Sequence, residues 1–329
     1  MKQCNRPLLL VAVVVLLFAP PAAGEVCSTG AEIDAVTRSA IERTARRYFG
    51  YAASGDVFRL RENAIAGLAS SFGGVEAVVI DQKTNLAAAQ PALRATYVLD
   101  APGNAPIARA EFFCGVWKTP QFAAFVLTNL PPGRYALVMQ ETNTPGGEYA
   151  VSMVLREEQG AWKLAGYYSR PAQVGGKNAD WFLNKAREFK SKGQNHNAWF
   201  YYAMAWQVSA PVDFMSTPRL DKMSEEMYAI RPKDLPGSGP VDLPATGGKT
   251  YKISHMSALP VKGELHLLVR YQTSDVSNTQ KTFDDNVAVI KALVARYPEY
   301  REAFAGVVAR AVEPSGRDYG TLLAMKDVK

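Results

Sequence analysis

Histidine and cysteine are both scarce, with three of each in 329 residues. The histidines stand apart, His196 in the stretch "GQNHN" and His255 and His266 in strand-forming surroundings. No H-E-x-x-H, paired C-x-x-C or G-x-S-x-G accompanies them, so no metal site, cofactor or common hydrolytic centre is expected. Of the cysteines, Cys4 precedes an apolar run, which leaves Cys27 and Cys114. A nucleophilic Cys114 would need a base, and every histidine lies far along the chain. Long apolar runs are also missing beyond "PLLLVAVVVLLFA" at 7–19, which falls short of the roughly 20 residues of a spanning helix. Basic residues are scattered, and the densest group, "KAREFKSKG", reads as the wet face of a helix. Nucleic acid is therefore not an expected partner.

Lys2 and Arg6, the apolar run and the small residues Ala22 and Gly24 lay out a secretory signal peptide over residues 1–24, cut before Glu25. Its removal takes the net charge from +6 to +4 by removing Lys2 and Arg6. The expected product is exported, periplasmic or extracellular, with no stable membrane span. Two remaining cysteines in an oxidising compartment predict a Cys27–Cys114 disulfide. It would close a loop of about 90 residues and contribute on the order of 4 kcal/mol; two free buried thiols are the alternative.

Two motif fragments fail on context. "LPATG" at 243–247 fits a sortase signal, yet some 80 residues of ordinary sequence follow where an apolar span and basic tail are needed. "GGKT" at 247–250 resembles the end of a phosphate loop, but the position that must be glycine is Leu243 and no strand precedes it. The acidic pairs Glu157-Glu158 and Asp284-Asp285 read as a hairpin shoulder and a helix start.

Residues 31–72 carry helical spacing, with Ile33, Val36, Ala40, Ile41, Ala45, Tyr48 and Phe49 recurring and "ASGD" interrupting. From about 93 to 169 short strand-like runs alternate with turn formers ("APGN", "PPG", "PGG", Gln159-Gly160), which predicts an antiparallel meander. The fold class is thus α+β. Residues 25–172, through "RRYFGYAASGDVFRLR" and "SMVLREEQGAWKLAGYYSRP", resemble the NTF2-like fold, a helical cone wrapped by a curved sheet. "FVLTNLPPGRYALVM" instead is similar to carboxypeptidase-regulatory-like sandwich modules, which ranks second because of the helices before it. The NTF2-like resemblance implies a cone interior, with Tyr48, Asp56, Tyr97 and Tyr167 as pocket candidates. A core filled by Phe72, Phe113, Phe125 and Trp162 would argue against catalysis there.

After the spacer "AQVGGKN", the unit 178–231 opens with residues 181–211, which resemble one tetratricopeptide helical hairpin. Phe182, Ala186, Phe189, Gly193, Ala198, Tyr202 and Ala205 match in order, although Lys185 and Pro211 depart from the pattern. A third helix begins at Thr217 and Pro218. The Pro/Gly-rich stretch 232–249 reads as an exposed linker, and 250–329 as a small β-β-α-β-β domain whose helix is capped by Thr282. In "AWFYYAMAW" the aromatics Trp199, Tyr201, Tyr202 and Trp206 cannot share one helical face, which makes them interaction candidates. As a whole the chain resembles exported bacterial proteins more than an enzyme family. The expectation is a non-enzymatic protein that binds a protein partner or small ligand; the alternative is a hydrolase or isomerase using an NTF2-like pocket.

Overall fold

The computed structural model describes residues 24–329, so the leader expected over 1–24 lies outside the described residues except for Gly24. The chain is mixed α+β, and among the described residues no helix is long and apolar enough to cross a membrane. It starts with strand β1 (Val26–Thr29), which the sequence reading passed over, and continues into α1 (Ala35–Ser54). The Asp34 side chain accepts from the Thr37 backbone N–H at the start of α1, and Gly55, at φ 71°, ends it in the left-handed region. Asp56 then accepts from the Arg59 N–H to start α2 (Val57–Glu62), followed by α3 (Ala66–Ser70) and α4 (Gly73–Leu86).

Six strands follow: β2 (Ala92–Ala101), β3 (Ile107–Cys114), β4 (Ala123–Leu130), β5 (Gly133–Thr144), β6 (Gly147–Glu158) and β7 (Ala161–Pro171). They do not form one meander. Ala101 pairs with Gly133, so β2 runs directly against β5, and the β3–β4 hairpin leaves the sheet. The main sheet has the order β1-β2-β5-β6-β7. Helices α1–α4 cover one face through Ile41, Tyr48, Phe72, Val138 and Trp162. The hairpin covers the other face, with Phe112 and Phe125 against Leu99 and Leu137. The physical reason is written in β5: Tyr135 through Gln140 are all buried, as a strand sandwiched on both sides requires.

The Cys27–Cys114 disulfide joins the two sheets, with Cα atoms 5.2 Å apart.

The chain then turns through β8 (Gln173–Val174) and β9 (Lys177–Asn178) into the antiparallel helices α5 (Ala179–Ser191) and α6 (Asn195–Ser209). A short ribbon returns to the first half as β10 (Met215–Ser216), which pairs with β4, while Val212 is fully buried among the hairpin residues. Helix α7 (Pro218–Tyr228) begins with Thr217 accepting from the Leu220 N–H, as the sequence predicts. Within the stretch read as a linker, Leu235 and Leu243 are buried and β11 (Val241–Pro244) pairs as an edge strand.

Strands β12 (Thr250–Val261) and β13 (Glu264–Gln272) form a hairpin, α8 (Thr279–Arg296) crosses over, and α9 (Tyr300–Ala303), β14 (Gly306–Val312) and β15 (Asp318–Ala324) complete the chain. The sheet order is β11-β12-β13-β14-β15, antiparallel except for β13 and β14, whose parallel pairing needs the α8 crossover. Helix α8 starts at Asn278, whose side chain accepts from the Lys281 N–H; Thr282 lies inside the helix and donates its hydroxyl to the Asn278 carbonyl. Phe182, Phe189, Phe200 and Tyr202 from the hairpin share one core with Leu267, Val269, Ile290 and Val307.

Candidate functional site

The pocket candidates of the first half are not brought together. Tyr48 is buried and donates to the Trp162 carbonyl at 2.9 Å, tying α1 to β7. Asp56 serves as the α2 cap. Tyr97 lies on the opposite face of the main sheet, edge-on to Phe125 at 4.9 Å. Tyr167 is buried under the helices, and burial, opposed weakly by Ser169, pushes its phenol far above the usual tyrosine range. The helix-facing interior is filled by Phe72, Trp162 and their neighbours, and Phe125 fills the other face. Phe113 alone of the expected fillers points out, 58% exposed.

The aromatic helix α6 gives a mixed picture. Tyr202 is fully buried and donates to Glu226 at 2.9 Å, within a two-pronged Arg187–Glu226 pair at 2.7 and 2.8 Å. Its place is the core, and it is closed to a partner. Trp199 is half-buried between Tyr228 and Arg231. Trp206 borders a cleft of about 520 Å³ together with Arg170 and Asp213. Tyr201 lines another cleft.

That cleft, about 420 Å³, lies between the α5–α6 hairpin and the edge of the C-terminal sheet. Trp181, Phe182 and Tyr201 form its aromatic wall; Lys177, Glu264 and Glu302 stand around it. Trp181 sits in the first turn of α5, where Asn178 accepts from its backbone N–H, and it is 37% exposed. Its ring packs edge-on to Phe182 at 5.0 Å and lies 6.1 Å from Tyr201. Lys177 holds its ammonium 4.2 Å from the Trp181 ring centre.

Beside the cleft two turns make a close approach. Gly175 and Gly176 adopt φ of 56° and 73°, and Gly263 adopts 79°. A Cβ at Gly175 would overlap the Gly263 carbonyl oxygen, so only glycine lets the β8–β9 turn meet the β12–β13 turn.

The charges around the cleft divide into satisfied and free. Lys185 is neutralised by Glu188 at 2.8 Å, and Glu302 by Lys192. Hydrogen bonds from Lys192 and then Gln194 hold the Glu302 carboxyl below the usual range. Burial, helped by the Glu302 charge, pushes Tyr201 up to about 12, so its hydroxyl is a neutral donor, spent on the Ala303 carbonyl at 2.6 Å. Among the described residues Lys177 and Glu264 carry no ion-pair partner, and both are exposed. A cation held over the Trp181 ring and an anion without an ion-pair partner therefore border one cleft.

His196 is part of a separate cluster. Its Nε2 is 2.8 Å from Asp234, which also accepts from Tyr297 at 2.6 Å, and its Nδ1 is 3.6 Å from Glu299. Burial works to raise the Asp234 carboxyl, but the Tyr297 and His196 hydrogen bonds outweigh it and leave it low. Burial and the Asp234 hydrogen bond drive Tyr297 far up, so its phenol stays neutral. The cluster fastens the 232–240 segment to α6 and α8. His255 is exposed beside Ser257, and burial followed by Arg270 lowers it; His266 is buried on β13. Among the described residues no group of three or more histidine, cysteine or carboxylate side chains could hold a metal ion.

Sequence reading missed Trp181, Lys177 and Glu264 as site residues, and Gly175 as the turn beside them. The available signal was the double glycine beside a tryptophan, taken only as a spacer. In comparison with known proteins, no family model, curated protein or solved structure matches this chain.

Proposed function

We propose that this is an exported, non-enzymatic binding protein whose ligand occupies the Trp181 cleft. The observation that carries the reading is a tryptophan ring, 37% exposed, beside Lys177 and Glu264, neither of them ion-paired, in a cleft of about 420 Å³, within the size range of small-molecule sites. An aromatic wall binds the flat face of a ring. Lys177 requires a hydrogen-bond acceptor and Glu264 a donor. A hydroxyl group supplies both, which makes a hydroxylated ring such as a sugar the simplest occupant.

The helical hairpin and C-terminal sheet act in this reading as one ligand-holding unit, with the tetratricopeptide-like pair α5–α6 as its wall. The first half is an NTF2-like scaffold. The order of four helices followed by antiparallel strands favours that description; the extra β3–β4 layer departs from it. The separation of Tyr48, Asp56, Tyr97 and Tyr167 weighs against the hydrolase or isomerase alternative. Export is favoured by the Cys27–Cys114 disulfide.

Saturation-transfer NMR against a panel of neutral and acidic sugars tests the reading. Ring-proton transfer that vanishes in W181A while the melting temperature holds is expected; no transfer from any ring compound would count against it.

A further inference from the structure

A second feature stands on independent observations, at the tip of the β3–β4 hairpin. Phe113, Val116 and Trp117 are 58%, 69% and 64% exposed, three large apolar side chains within five residues. Elsewhere the exposed apolar residues, such as Val36, Phe58 and Ile80, stand singly.

The tip is held rather than loose. The Cys27–Cys114 disulfide pins its base. The Thr119 backbone N–H and hydroxyl both donate to the Val116 carbonyl, at 3.1 and 2.7 Å. The Phe122 N–H closes on the Thr119 carbonyl at 3.0 Å, and the buried Phe122 ring supports Trp117 edge-on at 4.7 Å. Such a frame keeps the apolar side chains from folding back, although they sit in water.

Size and charge decide what covers them. From Gly115 to Gln121 every residue but Thr119 is exposed, so the tip is convex and offers no groove. A stable protein interface needs about 800 Å² from each partner, and three side chains supply a few hundred at most. A lipid surface sets no such threshold. From Phe112 to Gln140 the sequence has no carboxylate, and Lys118 sits at the tip itself. The carboxylates closest in sequence are Glu111, two residues before Phe113, and, across the disulfide, Glu25, two residues before Cys27, so the apolar share should exceed the electrostatic one.

We propose that this tip is a membrane-surface anchor: Trp117, Val116 and Phe113 enter the interfacial region of a bilayer while Lys118 meets anionic headgroups. Tryptophan suits the position because its ring is apolar and its N–H stays hydrated. A lysine reaches headgroups from a short depth, its stem lying in the apolar layer.

The test is flotation of the disulfide-bonded protein with vesicles of phosphatidylcholine alone and of phosphatidylcholine mixed with phosphatidylglycerol. The protein should float with both, more strongly with the mixture, and Trp117 fluorescence should shift to the blue. W117S should lower partitioning roughly tenfold or more and K118Q about fivefold on anionic vesicles alone. F58S, which removes an exposed aromatic elsewhere, should change nothing. Each variant should keep the parent's melting temperature, because the altered side chains are exposed. Failure of the parent to float, or W117S floating as well as the parent, overturns the proposal. A dimer abolished by W117S, without vesicle binding, overturns it in favour of a second copy of the chain.

Discussion

Glu226 illustrates how a single residue stabilises the hairpin from outside the Trp181 cleft. Hydrogen bonds from Arg187, and secondarily from Tyr202, outweigh burial and lower its carboxyl to about 2. Because the folded value lies below the ordinary 4.5, its contribution is complete above that range and is lost as pH falls toward 2. E226Q should therefore cost about 1–2 kcal/mol at neutral pH, and the gap from the parent should close under acid. Melting curves from pH 7 to pH 2 check the sign; a gap that widens in acid would contradict it. The core role of Tyr202 was half legible in the sequence. Its match to a large hairpin position implied burial, yet density of aromatics alone could not say which of four faced outward. That depends on what α6 packs against, the C-terminal sheet, and no local pattern specifies it.

Strands and turns were more legible than their partners. Every strand from β2 to β7 falls on a run that alternates or is bounded by turn residues, so their existence followed from period and punctuation. The pairing did not. The continuous apolar run Tyr135–Met139 carried the information that β5 is covered on both faces, and reading the strands as one meander concealed the third layer. The short β1 was missed because four residues carry too little periodicity; the disulfide to Cys114 fixes it in place. Replacing Cys27 and Cys114 by serine should cost about 2–4 kcal/mol and speed amide exchange in β1 first. Unchanged exchange there would mean that β1 holds by pairing alone. The turn beside the cleft makes a sharper element-scale prediction. G175A forces the β8–β9 turn off the Gly263 carbonyl and should weaken ligand binding roughly tenfold or more while leaving the first half's melting unchanged. Gly176, with nothing near a built Cβ, should tolerate alanine better.

On the scale of the whole molecule, the two halves are laced together by the ribbon at 212–216. Its Val212 enters the hairpin core, Phe214 accepts from the Val126 N–H at 3.0 Å, and Asp213 forms a two-pronged pair with Arg170. V212D would bury an unpaired charge and should split one calorimetric transition into two, the hairpin layer melting first. A single transition at the parent temperature would show that the ribbon carries little coupling. The central claim concerns the cleft, which this lacing leaves open to solvent. Native mass spectrometry of the protein recovered from an exporting host, beside W181A, tests it most directly. The expected result is a mass two hydrogens below the reduced chain and a small molecule retained by the parent and lost from W181A. A parent recovered empty, or a ligand retained equally by W181A, would contradict it.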